Sequence, residues 1–214
     1  VPAKLLLLRN PAKVALHTVW LVVGLGNPGK KYERTRHNVG QEAVELLASR
    51  HGASLREGRD KALVGDISLP GDDNAEKVVL AVPLTFMNES GQAVRLLIKR
   101  HNLKTDDIAA RLVIVHDELD LEPGIVRVKA GGGLAGHNGL RSITSHLSTQ
   151  DYVRVRIGVG KPPSAALGAD HVLRRIPPTE RALLDDAVTR AADAVEMLVS
   201  KGLAATMNFV NTAS

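Results

Sequence analysis

Residues 21–40 read LVVGLGNPGKKYERTRHNVG. Gly24, Gly26 and Gly29 follow a short apolar run and match G-x-G-x-x-G, the pattern of a loop that binds a dinucleotide between a strand and a helix. That function needs a helix starting inside the motif, so that its N-terminus meets the pyrophosphate. Residues 30–36 carry no apolar stripe. Helical periodicity begins later, with Val39, Ala43, Val44, Leu46 and Leu47, and Asn38 stands at the N-cap position. The pattern also wants an acidic residue closing a second strand about twenty residues on. Here that region is still helical, with Glu45 inside it. The glycines are therefore read as turn makers around Asn27 and Pro28, and no cofactor is expected.

Outward from this stretch, strands alternate with helices. Strands are expected over residues 19–24, 62–69, 77–82, 111–115, 124–130 and 152–160, with a short HVL run at 171–173. Helices are expected from Asn38, over 90–101 and 140–147, and for about twenty residues after Pro177 and Pro178. This order predicts one α/β domain in three layers, α/β/α, around a mixed, mostly parallel sheet. Residues 1–18 read as an extension of unclear role, and 19–214 as the domain. In such sheets the functional residues sit on loops at the strands' carboxyl ends.

Composition narrows the chemistry. There is no cysteine in the 214 residues, so thiol nucleophiles and cysteine-based zinc sites are excluded, and a cytoplasmic protein is expected. Aromatic residues make up 2%, which leaves a core of aliphatic residues. No apolar run approaches the ~18–20 residues that cross a bilayer. Against 23 acidic residues stand 28 basic ones, a net charge of +5, and nucleic acid is the first anionic partner to consider.

The loops hold the polar residues that chemistry would need. Asn27 lies in GNPG, His37 and Asn38 in RHN, Asn88 in FMNESG, Asp117 in HDELD, and His137 and Asn138 in GHNG. A histidine with an aspartate is the minimum for general base catalysis, because the carboxylate fixes the imidazole tautomer and stabilises the cation that forms. Asparagine can steady a carbonyl or oxyanion without adding charge. Read alone, Asp117, Glu118 and Asp120 are a solvated acidic loop, since no companion residues stand at metal-ligand spacing. Without G-x-S-x-G, a serine-hydrolase elbow is not expected.

Four long blocks sharpen this reading: GLGNPGKKYERTRHNVG, PLTFMNESGQAV, VIVHDELDLEPGIVRVKAGGGLAGHNGLRSI and YVRVRIGVGKP. In order and spacing they resemble the bacterial-type peptidyl-tRNA hydrolases, closely from about residue 20 to 160 and more loosely beyond. The resemblance implies an enzyme that cleaves the ester between a peptide and the 3′-terminal ribose of tRNA. It also implies a metal-free, cofactor-free site and a monomer. Carried over, His37 matches the catalytic base and Asp117 its partner. Asn27 matches the residue that separates blocked from free aminoacyl groups. Tyr32, Phe86, Asn88 and Asn138 match substrate-contacting positions, flanked by Met87 and His137. Lys129 and Arg156 match positions associated with the tRNA's terminal phosphate. Each of these two cations lies on the polar face of an alternating strand, with Arg127 or Arg154 two residues away. Ala135 departs from the family, whose members usually carry glycine there; its methyl either stiffens the loop or blocks a φ > 0 conformation. A gate would fall at 161–170. Three other readings compete: a non-catalytic RNA-binding module on the same scaffold, a nucleotide-dependent oxidoreductase, and an esterase for small acyl esters.

Overall fold

The computed structural model describes residues 19–71, 74–162, 164 and 167–212. The 1–18 extension lies outside them, as does part of the 161–170 loop. Among the described residues, seven strands form a single sheet: β1 (Trp20–Gly24), β2 (Arg56–Glu57), β3 (Ala62–Pro70), β4 (Ala75–Pro83), β5 (Leu112–Glu118), β6 (Val126–Ala130) and β7 (Val153–Gly158). Their order is β2-β3-β4-β1-β5-β7-β6. The central block β4-β1-β5-β7 is parallel. β3 and β6 run against it, and β2 against β3. Five of the seven strands thus share one direction, as expected of a mixed, mostly parallel sheet.

The helices are α1 (Val39–Arg50), α2 (Ser90–His101), α3 (Thr105–Arg111), α4 (Asn138–Leu147), α5 (Gly168–Leu173) and α6 (Pro178–Val210). Strand alternation sorts them into two outer layers. Val22, Leu80, Val113 and Val155 pack toward α1 and α6. Leu21, Val23, Val79 and Ile114 pack toward α2 and α4. Both faces of the central strands are buried, which is why they read as unbroken apolar runs. The HVL run is helical, inside α5, and not a strand. Helix α3 escapes the periodicity because its seven residues are too few to repeat a pattern; the Lys104 amide and the Asp107 carboxylate, 2.8 Å apart, fix its start.

The opening motif behaves differently from a cofactor loop. Helix α1 starts at Val39, ten residues beyond Gly29. Of the three motif glycines only Gly29 has a positive φ, 100°. Gly24 serves close approach instead: a Cβ there would lie 2.4 Å from the Gly40 carbonyl, and one at Gly40 would lie 2.2 Å from the Val115 carbonyl. Helix α1 thereby rests directly on the ends of β1 and β5. The residues just before it are held beside the end of β5.

The last helix runs longer than expected, 33 residues, because it is two helical segments joined at a kink, where Gly202 leaves the helical region with φ 74° and ψ 171°. After that kink the chain turns back to the edge strand β6. The Asn211 side chain accepts from the Val128 amide and donates to its carbonyl, both at 2.8 Å. One side-chain amide therefore stands in for a pairing strand on this otherwise open edge.

Candidate active site

The site gathers at the carboxyl ends of β1 and β5, where α1 approaches from one face of the sheet and α4 from the other. Asp117 is the penultimate residue of β5 and is 2% exposed. His37 lies in a 3₁₀ turn, Arg36–Asn38, that leads into α1. Arg36 anchors that turn from beneath, with one guanidinium nitrogen 2.5 Å from the Glu180 carboxylate and another 3.3 Å from the His171 carbonyl.

His37 Nδ1 lies 2.9 and 3.0 Å from the two oxygens of Asp117. His137 Nε2 lies 2.9 Å from Asp117 Oδ1. Two imidazoles therefore share one buried carboxylate. Their proton positions follow from their other neighbours. His137 is the N-cap of α4, and its Nδ1 accepts from the amides of Gly139 and Leu140 at 3.1 and 3.3 Å. An acceptor carries no proton, so the His137 proton sits on Nε2 and is donated to Asp117. His37 Nδ1 also faces the carboxylate and donates to it. The lone pair left on His37 is on Nε2, and His37 lines the adjoining cleft.

The charges agree with this arrangement. Burial by itself would pull the His37 imidazole down. The Asp117 carboxylate, through charge and hydrogen bonding, outweighs burial and holds it above its usual 6.5. Burial would raise the Asp117 carboxyl, but the two histidines outweigh it and hold it well below 3.8. A third histidine, His116, is buried beneath, its Nδ1 2.6 Å from the Asp117 carbonyl and its ring edge-on to His137 at 5.0 Å. Burial holds it well below 6.5, and the neighbouring His137 adds to the shift. The reading of a solvated acidic loop fails here: Asp117 and Glu118 are buried at the strand end, and Asp120 alone of the three reaches solvent, paired with Lys161 at 3.0 Å.

By distance alone His37, Asp117 and His137 could enclose a cation, since their ligand atoms lie within 4.8 Å of one another. The tautomer argues against it. A metal would need the His137 Nε2 lone pair, which moves the proton to Nδ1, where two backbone amides already point. A metal-bound histidine ordinarily donates its other N–H to an acceptor, and here that side holds only donors.

Asn27 is organised by its neighbours. Its Oδ1 accepts from the Met87 amide at 2.8 Å, which turns its Nδ2 toward the cleft. Its own backbone is gripped by Asn38, whose side chain accepts from the Asn27 amide at 2.9 Å and donates to the Asn27 carbonyl at 3.0 Å. Asn38 thus stands at the N-cap position of α1 but caps no helix amide; its side chain serves the Asn27 backbone, with a longer bond to the Gln41 side chain at 3.3 Å. Met87 is buried and touches Asn27 through its backbone, while Phe86, Asn88 and Asn138 are exposed on the rim. Tyr32 meets Phe86 edge to face, with ring centres 6.3 Å apart. Two adjoining cavities of about 240 and 480 Å³ share His37, Asn138, Ala169 and Val172 as walls. Every residue expected at the chemical centre or the substrate cleft lines one of them.

Lys129 and Arg156 lie apart from that cleft, on β6 and β7. Arg156 Nε is 3.0 Å from Glu118 Oε2, next in sequence to Asp117. Lys129 is held below its usual value of 10.5, first by burial and then by the charges of Arg156 and Arg154. Arg154 shares their face of the sheet but is 1% exposed, so it is not the solvated companion that alternation suggests. Sequence reasoning misses the partner roles of His137, Asn38 and Glu118. Adjacency to His37 for Asn38, to Asp117 for Glu118, and the GHNG loop for His137 are the only signals for them.

The peptidyl-tRNA hydrolase family profile matches residues 21–214. The chain is 45% identical over 191 residues to the peptidyl-tRNA hydrolase of Syntrophomonas wolfei, covering 89% of this chain and 99% of that one. It is 49% identical over 189 residues to that of Kineococcus radiotolerans, covering 87% and 93%. The crystal structure of the Acinetobacter baumannii peptidyl-tRNA hydrolase superposes with a TM-score of 0.81 at 38% identity, over 92% of this chain and 96% of that one.

Proposed function

The chain belongs to the peptidyl-tRNA hydrolase family, and from that premise we propose that it cleaves the ester between peptide and tRNA by general base catalysis at His37. His37 Nε2 takes a proton from a water in the cleft, and the hydroxide oxygen bonds to the ester carbonyl carbon. The developing imidazolium is stabilised by Asp117, which His137 holds in place. The carbonyl π electrons move onto oxygen, within reach of the Asn27 Nδ2 donor and the rim amides of Asn88 and Asn138. The oxyanion then collapses and the bond to the 3′ ribose oxygen breaks. His37 returns its proton to that oxygen. The products are the peptide acid and tRNA with a free 3′ hydroxyl.

The starts of α1, α2 and α4 all open onto this rim. Their amide ends favour developing negative charge there. Tyr32 and Phe86 form an aromatic wall at the cleft mouth. Lys129 and Arg156 take the terminal phosphate of the tRNA, a contact that positions the substrate. The step needs neither metal nor cofactor. The residues assigned to the chemistry all lie on one chain, which supports a monomer acting alone, and a tRNA substrate supports a cytoplasmic enzyme. Among the described residues no helix is long and apolar enough to cross a membrane.

The observation that carries the proposal is the two-histidine grip on Asp117, which leaves His37 Nε2 as the free base. The test is cleavage of tRNA bearing an N-acetylated amino acid, beside the same tRNA with a free amino group, with chelator present. We expect selective cleavage of the blocked form and a kcat roughly 10²–10⁴-fold lower in His37→Ala. Tight tRNA binding with no cleavage would favour the RNA-binding module, and cleavage of small acyl esters indifferent to salt would favour the simple esterase.

A further inference from the structure

Arg154 stands out as a buried cation that the proposed chemistry does not use. It lies on β7 between Ile114 of β5 and Lys129 of β6. The loop 131–136, GGGLAG, lies against it through its backbone and offers almost no side chains. Arg154 is buried beneath that loop. Its Nη1 donates to the Gly133 carbonyl at 2.7 Å and its Nη2 to the Gly132 carbonyl at 2.7 Å, with Gln150 more distant at 3.5 Å. Its guanidinium carbon lies 4.8 Å from the centre of the Tyr152 ring. Its hydrogen bonds above go to main-chain carbonyls, while the Tyr152 side chain and the Glu118 carboxylate act on it through charge. Glu118, the acid nearby, is committed to Arg156.

We propose that Arg154 is a positioning residue: its guanidinium fork holds the Gly132 and Gly133 carbonyls and so sets the loop that delivers His137 to Asp117 and Asn138 to the cleft. The inference rests on the reading of that centre given above. The loop has little else to define it. Gly131, Gly132, Ala135 and Gly136 all have positive φ. Among the described residues, the backbone hydrogen bonds anchoring its ends are Gly131 to the Tyr152 carbonyl and His137 to the Leu134 carbonyl. Two adjacent carbonyls facing inward need two donors in one plane, which a guanidinium supplies and an ammonium does not. The same charge lies beside Lys129, so the phosphate site and the catalytic loop share one buried cation.

The test compares Arg154→Lys with Lys129→Met over a range of blocked aminoacyl-tRNA concentrations, reading kcat, KM and the salt dependence of tRNA binding. Lysine keeps the charge and loses the fork. Arg154→Lys should lower kcat about 10–100-fold, the scale of a small misplacement of catalytic groups, with KM and salt slope near wild type. Lys129→Met should do the reverse. Gly132→Ala approaches from the loop's side, since its φ is 97° and a Cβ would lie 2.9 Å from Lys129 Nζ. It should also lower kcat, and it carries the test if Arg154→Lys does not fold. Wild-type kcat in both loop variants, or a raised KM with kcat intact in Arg154→Lys, would overturn the inference. An inactive wild type would instead overturn the functional reading.

Discussion

The Asp117 centre and the cationic strip on β6 and β7 are neighbours built on opposite principles. At Asp117 one carboxylate meets two imidazoles, and each hydrogen-bonding atom of that contact has a fixed partner. On the strip Lys129, Arg154 and Arg156 face, among the described residues, a single carboxylate, Glu118. The first region is complete before substrate arrives. The second holds a surplus of positive charge that an anion would balance. A catalytic group gains from being fixed in advance, because reorganisation at the moment of reaction is costly. A binding surface gains from being left short of a partner, because the ligand then supplies what is missing.

Breaking the first region should have the largest effect. In Asp117→Asn one amide oxygen can still accept from His37 or His137. The new NH₂ group, however, points at His37 Nδ1 and favours the tautomer with the proton on Nε2, where the base must be free. We expect kcat to fall by about 10²–10⁴-fold, the range of general base contributions. The pH profile gives a second readout. The carboxylate holds His37 above 6.5, so the acid limb of kcat/KM in the wild type should lie above that value, with activity lost as pH falls through it. Asn removes the charge and leaves burial, which lowers an imidazole pKa. The limb of the residual activity should move to lower pH. A limb that stays in place would mean that another group titrates.

Breaking the second region should change binding more than chemistry. Replacing Lys129 and Arg156 together by methionine removes two phosphate partners. The slope of log affinity against log salt should flatten by about 1–2 units, with kcat at saturation largely kept. Binding experiments across a salt series decide this. An unchanged slope would mean that the strip does not meet phosphate, and the contrast between the two regions would lose its functional meaning.

The two regions are also unequally legible in the sequence. The layering and the places of strands and helices along the chain follow from apolar runs and their spacing, because burial on both faces of β1, β4 and β5 leaves a continuous signal; the order of the strands in the sheet does not. Residue type and loop position point to His37 and Asp117. They do not point to the second grip on Asp117, because the N-cap role of His137 depends on where α4 starts, two loops away in sequence from β5. Arg154 escapes for a related reason. Alternation places a residue on a face but does not say what covers that face, and a glycine loop leaves no pattern of its own. Gly24 reads as a turn maker because a positive φ and a close approach select the same residue.

The smallest expected effect tests that glycine loop. Ala135 has φ 47°, so the methyl does not block the left-handed conformation; the chain adopts it at a cost. That region disfavours a side chain by about 1–2 kcal/mol. Glycine would remove that cost but would loosen the unfolded chain, which takes back about 0.4–1 kcal/mol. Ala135→Gly should therefore raise stability by about 0–1.6 kcal/mol in urea unfolding, the difference between these terms. Ala135 is exposed and lies between the carbonyls held by Arg154 and the N-cap held by Asp117. With both ends fixed, kcat should stay within about twofold of wild type, a change too small to signal lost transition-state contacts. A large drop in kcat without loss of stability would show that the alanine, and not only the two anchors, keeps the loop in register. The Asp117 centre would then owe part of its order to a strained residue on the surface.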